Sequence, residues 1–110
     1  MKTKNTIKQI NKVIEMFTII NTKVYSKLDI VKLISISNQE FESTMSELKS
    51  YAKKIDGYFN LNLTYKVNYL KHYLKPLIGF DLDNTDKRTI EQYSKVCEVT
   101  KDIYNILLSI

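Results

Sequence analysis

The stretch from Lys27 to Ile55 reads KLDIVKLISISNQEFESTMSELKSYAKKI and predicts two helices joined by a tight turn. Ser26 is the expected N-cap of the first helix, and the carboxylate of Asp29 favours its positive end. The segment Ser37-Asn38-Gln39-Glu40 has the spacing of a capping box, so a second helix should begin there. The apolar residues of this second helix recur at helical intervals and share one face; they are Phe41, Met45, Leu48, Ala52 and Ile55.

The turn between the two helices is very short. Only Ser35, Ile36 and Ser37 are available for it. So short a connection forces the two axes to change direction sharply, and Ile36 is the natural apolar plug between them.

The segment from Asp29 to Leu48 resembles the helix-turn-helix of bacterial and phage regulators. Val31 stands where that family usually has alanine, and Ser35 stands where it usually has glycine. The apolar positions of the family are matched by Ile36, Phe41 and Met45. The resemblance implies that the second helix is directed toward the major groove of DNA. A simple helical hairpin, in which the turn is purely structural, is the alternative interpretation.

The polar and basic side chains of this unit are the expected DNA contacts: Lys27, Asn38, Gln39, Ser43, Ser46, Lys49, Lys53 and Lys54. The net charge of +5 and the pI near 9.2 favour a polyanionic partner. Arg88 is the single arginine, and lysine binds phosphate as a point charge, so backbone contacts should outweigh base readout. Glu40, Glu42 and Glu47 on the same helix oppose this function, because carboxylates repel phosphates, unless Glu40 is engaged in its capping box and Glu47 faces away.

The predicted fold is mainly α, a compact bundle of about five helices in a single domain of residues 1–110. The helix-turn-helix-like unit occupies residues 27–55. An amphipathic helix is expected over residues 5–21, with one broad apolar side made of Ile7, Ile10, Val13, Ile14, Phe17 and Ile20. Residues 58–69 fit both a strand and a helix. We expect a helix over residues 62–75 and leave a short strand or wing open at 58–61, as in a degenerate winged-helix protein.

The last predicted helix, over residues 87–108, carries apolar residues on two adjacent sides. That is more apolar surface than one neighbouring helix can cover. The helix either runs through the middle of the bundle or pairs with a second copy. We therefore expect it to serve packing or dimerisation, with a homodimer formed through it.

Other residues with chemical potential give no catalytic or metal site. The segment FDLDNT at 80–85 resembles the nucleophile motif of haloacid-dehalogenase-type phosphatases, but the parallel sheet that this family needs cannot be built from the rest of the chain. His72 has no metal-ligand spacing with another histidine or cysteine, and Cys97 fits a packing thiol. Three lysine-flanked tyrosines, Tyr65, Tyr69 and Tyr73, are consistent either with base stacking or with half-buried packing.

The sequence thus predicts a non-enzymatic protein without a cofactor. A single cysteine and the absence of a long apolar run favour a cytoplasmic protein without membrane insertion. The leading hypothesis is a small DNA-binding protein of regulator, plasmid or phage type. The alternative is a helical module that binds a protein partner, such as an inhibitor, an immunity-type protein or an assembly protein.

Overall fold

The computed structural model describes residues 2–78 and 87–110, and in the first helix it describes side chains from Thr6 onward. Helix α1 comprises Lys2–Ile19, a π-helical turn at Ile20–Val24 and a last α-helical turn at Tyr25–Lys27, which follow one another without interruption. The other helices are α2 (Ile30–Ser35), α3 (Asn38–Phe59), α4 (Leu63–Leu74, extended by a 3-10 turn at Lys75–Leu77) and α5 (Lys87–Leu108). These described residues contain five helices and no strand, so the predicted mainly α class is confirmed.

Helix α3 begins where its capping signal predicts. Ser37 is its N-cap, and the Ser37 hydroxyl accepts a hydrogen bond from the backbone N–H of Glu40 at 3.2 Å. The helix runs beyond residue 55, the expected end of the helix-turn-helix-like unit, to its C-cap Asn60, which adopts a left-handed conformation with φ of 51°. All five predicted core residues of this helix are buried.

Helix α2 begins later than predicted, because Asp29 and not Ser26 caps it. The Asp29 carboxylate accepts a hydrogen bond from the backbone N–H of Lys32 at 3.4 Å. Ser26 belongs to the end of α1, where its hydroxyl donates to the carbonyl of Thr22 at 3.1 Å. The first helix of the helix-turn-helix-like unit is therefore only six residues long.

Residues 58–61 form the end of α3 and the turn that follows it, and not a strand or wing. The Asp56 carboxylate organises this turn: it accepts hydrogen bonds from the backbone N–H groups of Leu63 and Thr64, each at 2.8 Å. It also accepts one from the Thr64 hydroxyl at 2.8 Å. These bonds begin α4 immediately, so the helical apolar period prevails over the alternating one.

The four long helices run antiparallel to their neighbours. Glu15 and Lys54 join α1 to α3 at 2.8 Å, and Glu42 and Lys71 join α3 to α4 at 2.8 Å. The Gln92 side chain donates to the Tyr73 carbonyl at 2.8 Å and joins α5 to the end of α4. The circuit closes where the rings of Tyr25 and Tyr104 stack with centroids 5.1 Å apart. The result is an up-down-up-down bundle with α2 between α1 and α3.

The side of α1 that enters the core differs from the predicted side. Met16, Ile20 and Val24 are buried, followed along the chain by Leu28. These residues recur every four positions. On a regular α-helix, side chains at that spacing would move gradually to another side of the helix. The wider π-helical turn at Ile20–Val24 keeps them on one side. Of the predicted apolar side, only Ile20 is buried.

Helix α5 is one member of this circuit of four helices and does not run through the middle of the bundle. Val96, Val99, Ile103 and Leu107 are buried within the bundle. The remaining large apolar residues of α5 that are exposed, Ile90 and Leu108, lie near its two ends and form no continuous stripe. Helix α5 therefore has no continuous exposed apolar surface for the homodimer that was expected to form through it.

The molecule is elongated, with extents of 61 × 24 × 18 Å. Its Cα radius of gyration is 16.2 Å, compared with about 13 Å for a compact domain of this length. The excess comes from α1, whose side chains from Thr6 to Glu15 are all exposed. Because Lys12 lies over the ring of Tyr58, near the end of α3, the residues before Lys12 extend beyond the bundle. No helix in the described ranges has the length and apolarity needed to cross a bilayer.

Candidate interaction surfaces

The predicted DNA-contact residues divide between the outer face of α3 and its two edges. Gln39, Ser43 and Ser46 are exposed and share the outer face, which continues through Ser50 to Lys53. Asn38 is exposed in the first turn, and Lys49 is half-buried toward α4. Lys54 lies at the edge of α3 that faces α1, and Lys27 is the last residue of α1 itself. The outer face itself is therefore a row of small polar side chains with a lysine at its end.

Ion pairs line both edges of this face. Glu42 pairs with Lys71 at 2.8 Å and with Lys75 at 3.7 Å. The hydrogen bond from Lys71 is the main reason that the pKa of Glu42 lies below its ordinary value. On the other edge, Lys27 donates to Glu47, which also accepts a hydrogen bond from the Tyr51 hydroxyl at 3.1 Å.

The hydrogen bond from Lys27 likewise holds the pKa of Glu47 below its ordinary value, ahead of the smaller contribution of Tyr51. Two of the three carboxylates that opposed DNA binding are thus neutralised by lysines of neighbouring elements. Two of the four lysines predicted to contact phosphate are also engaged in ion pairs: Lys27 with Glu47, and Lys54 with Glu15. Among the described residues, Lys49 and Lys53 form no ion pair. The face is close to neutral.

The turn between α2 and α3 contains only Ile36 and Ser37. Ile36 is half-buried and packs against the core, as predicted for the plug of the turn. Val31 is 61% exposed and therefore contributes little to holding the two helices together.

The three tyrosines of α4 form a ladder of aromatic contacts. The rings of Tyr65 and Tyr69 have centroids 5.9 Å apart, and those of Tyr69 and Tyr73 are 4.8 Å apart. The hydroxyls of Tyr69 and Tyr73 are 3.1 Å apart, and this hydrogen bond raises the pKa of Tyr69. Tyr65 and Tyr69 line a shallow groove of about 270 Å³ together with Lys66 and Lys95, each of which has an acidic partner. The charges beside the ladder are balanced, which does not favour a polyanion.

Among the residues that the structure describes, His72 and Cys97 do not form a catalytic or metal site. His72 is exposed, and Cys97 is half-buried beside Tyr93. Burial, followed by the neighbouring thiol, raises the pKa of Tyr93. Within the described ranges no three histidine, cysteine or acidic side chains come close enough to hold a metal ion. The FDLDNT segment at 80–85 lies outside the described residues.

An apolar surface lies on α1, where the predicted apolar side of the helix is exposed to solvent. We call the residues Ile7, Ile10, Val13, Ile14 and Phe17 the α1 stripe. Their exposed fractions are 54%, 52%, 41%, 57% and 45%. Together they expose on the order of a few hundred Å² of apolar surface, the scale at which patches mark interaction sites.

The sequence pattern identifies these residues as part of the apolar side of an amphipathic helix, but not that this side is exposed. The available signal was a second apolar series, Met16, Ile20, Val24 and Leu28, at a spacing of four. When a helix at the edge of a bundle has two apolar sides, the bundle can cover only one of them. The other side is left for a partner.

Comparison of the chain with protein families, with curated proteins and with solved structures gives no match.

Proposed function

We propose that this protein is a non-enzymatic helical interaction module that docks another helix on the α1 stripe. The exposure of these five apolar side chains on one helix is the observation that carries the proposal. Scattered apolar residues are normal on protein surfaces, but a contiguous row along a helix is the arrangement used for helix-in-groove and coiled-coil recognition.

Packing against the bundle preorganises the α1 stripe as a helix. Met16 and Ile20 anchor the opposite side of α1 in the core, and the Glu15–Lys54 pair and the Lys12–Tyr58 contact fix its rotation. The cost of forming the helix is thus already met by folding. A partner helix that binds this preformed surface loses less conformational entropy than one that binds a disordered segment.

DNA binding through α3 is the second candidate. The row of Gln39, Ser43 and Ser46 would allow close approach to a nucleic acid, since Glu42 and Glu47 are both engaged by lysines. Glu40 remains exposed in the first turn, and too few free cations lie beside the row to supply strong phosphate binding. This candidate is therefore the weaker one.

One experiment separates the two candidates. The wild type, the double variant Ile10→Glu/Ile14→Glu and the control Val31→Glu would be immobilised and exposed to a lysate of the source cells. Val31 is apolar and similarly exposed, but it lies on α2. We expect a protein partner to be retained by the wild type and the control and lost from the double variant.

The same proteins would be titrated with generic duplex DNA at salt concentrations of about 50 mM and 200 mM. The proposal predicts little binding at either concentration. Binding that falls steeply with salt and survives the double variant, together with no partner in the lysate, would overturn it in favour of DNA.

A further inference from the structure

We infer that the occupant of the α1 stripe is a second copy of this chain, packed antiparallel along α1 in a two-fold symmetric coil. This inference rests on the proposed function and names the partner. Four stripe residues, Ile7, Ile10, Ile14 and Phe17, are spaced three, four and three positions apart. That spacing defines the a and d positions of a heptad, the repeat by which two helices pack side by side.

The stripe is self-complementary. It is symmetric about residue 12, because Ile10 and Ile14 lie two positions from it and Ile7 and Phe17 lie five. In an antiparallel pair centred there, Ile10 faces the partner's Ile14 and Ile7 faces the partner's Phe17. A two-fold interface requires one patch to fit a copy of itself, and this row meets the requirement with an apolar contact at every layer.

The flanks of the row contain no charge that would repel a copy. Thr6, Asn11, Val13 and Thr18 border the four a and d residues, and all are uncharged and exposed. Lys8, Lys12 and Glu15 lie on the other side of the helix, where the last two contact the bundle of their own chain. An acidic or basic partner would find no complementary charge beside the row, whereas a second copy needs none.

The position of α1 allows the two copies to approach. The residues before Lys12 extend beyond the bundle, so an antiparallel pair centred on residue 12 places the two bundles on opposite sides of the two-fold axis. The buried area per copy is on the order of a few hundred Å², at the low end for specific interfaces. The dimer is therefore concentration-dependent.

Sedimentation equilibrium over a range of protein concentrations tests the inference. The wild type and Val31→Glu should shift from monomer to dimer with the same dissociation constant, while Ile10→Glu/Ile14→Glu should require at least a tenfold higher concentration. A second variant, Ile10→Lys/Ile14→Lys, should also be monomeric alone. Mixing the acidic and basic variants should restore a one-to-one dimer, because each glutamate then faces a lysine of the other chain.

The antiparallel direction is tested by disulfide formation in a Cys97→Ser background. Asn11→Cys lies next to its counterpart across the two-fold axis and should crosslink readily. Thr18→Cys lies about 18 Å from its counterpart along the coil and should not. Equal crosslinking at both positions would indicate a parallel pair and overturn the proposed register.

The remaining outcomes separate this inference from the proposed function. A wild type that stays monomeric at all concentrations, but binds a lysate protein through Ile10 and Ile14, overturns the second copy and leaves the docking function intact. A monomeric wild type without such a partner overturns both. Dimerisation that survives the double variant overturns the assignment to the α1 stripe.

Discussion

At the scale of single residues, Asp56 connects two helices through its carboxylate. It lies in the last turn of α3 and binds the first N–H groups of α4, so one carboxylate joins two helices across a turn of three residues. Its partial burial by itself would raise its pKa. The hydrogen bonds from Thr64 and Leu63 outweigh that effect, and the pKa of Asp56 lies below its ordinary value.

Replacing Asp56 by alanine should lower the free energy of unfolding by about 1–2 kcal/mol at neutral pH, because two helix-start N–H groups lose their acceptor. A carboxyl group whose pKa is depressed by folding contributes its full stabilisation above its unfolded pKa of about 3.9. That contribution is lost as the pH falls from there through the folded pKa. The difference between the wild type and Asp56→Ala should therefore shrink below about pH 4.

Urea unfolding of both proteins at neutral and acidic pH measures this effect. Asp102→Ala is the matched control, since its carboxylate is 58% exposed and lies 3.4 Å from Lys66. It should change the unfolding free energy by less than about 0.5 kcal/mol. An Asp56→Ala deficit of equal size at both pH values would contradict the role assigned to the ionised carboxylate.

At the scale of elements, α1 is distinguished by having two apolar sides with different neighbours. One side lies in the bundle and includes the π-helical turn, and the other is the α1 stripe. Thr18, Thr22 and Ser26 donate their hydroxyls back to carbonyls four residues earlier. Such bonds accompany bending of a helix, and here they surround the segment in which the coil widens.

The two sides of α1 should respond differently to truncation. Ile20 is 2% exposed and Ile14 is 57% exposed. Ile20→Ala should cost about 2–5 kcal/mol of unfolding free energy because it leaves a cavity, whereas Ile14→Ala should cost less than about 0.5 kcal/mol in the monomer. Urea denaturation at low protein concentration compares the two. Similar losses would mean that the stripe packs within its own chain.

At the scale of the whole molecule, the helices form a bundle with an extended arm. Each long helix of the bundle has neighbours on its apolar face, but the start of α1 has none among the described residues. Local stability follows such packing, so the molecule should open more easily along this arm than in its core.

Hydrogen exchange should reveal the difference. In Ile10→Glu/Ile14→Glu, the amides of residues 6–11 should exchange much faster than those of residues 16–27 in the same helix, because only the latter pack in the core. In the concentrated wild type, the early amides should become slower to exchange, since the second copy covers them. Exchange at equal rates in both proteins would contradict a dimer formed through α1.

The sequence by itself determined the helical class, the start of α3 at Asn38, its five core residues and the bounds of α5 at residues 87–108. These features depend on local capping and on a helical period that lies within each segment. Only the tertiary structure decided which apolar side of α1 is covered and which carboxylates of α3 are neutralised. Both sides of α1 satisfy the same local pattern, and Lys27 and Lys71 reach Glu47 and Glu42 across gaps of many residues. Their positions depend on how separate helices pack, which no local pattern specifies.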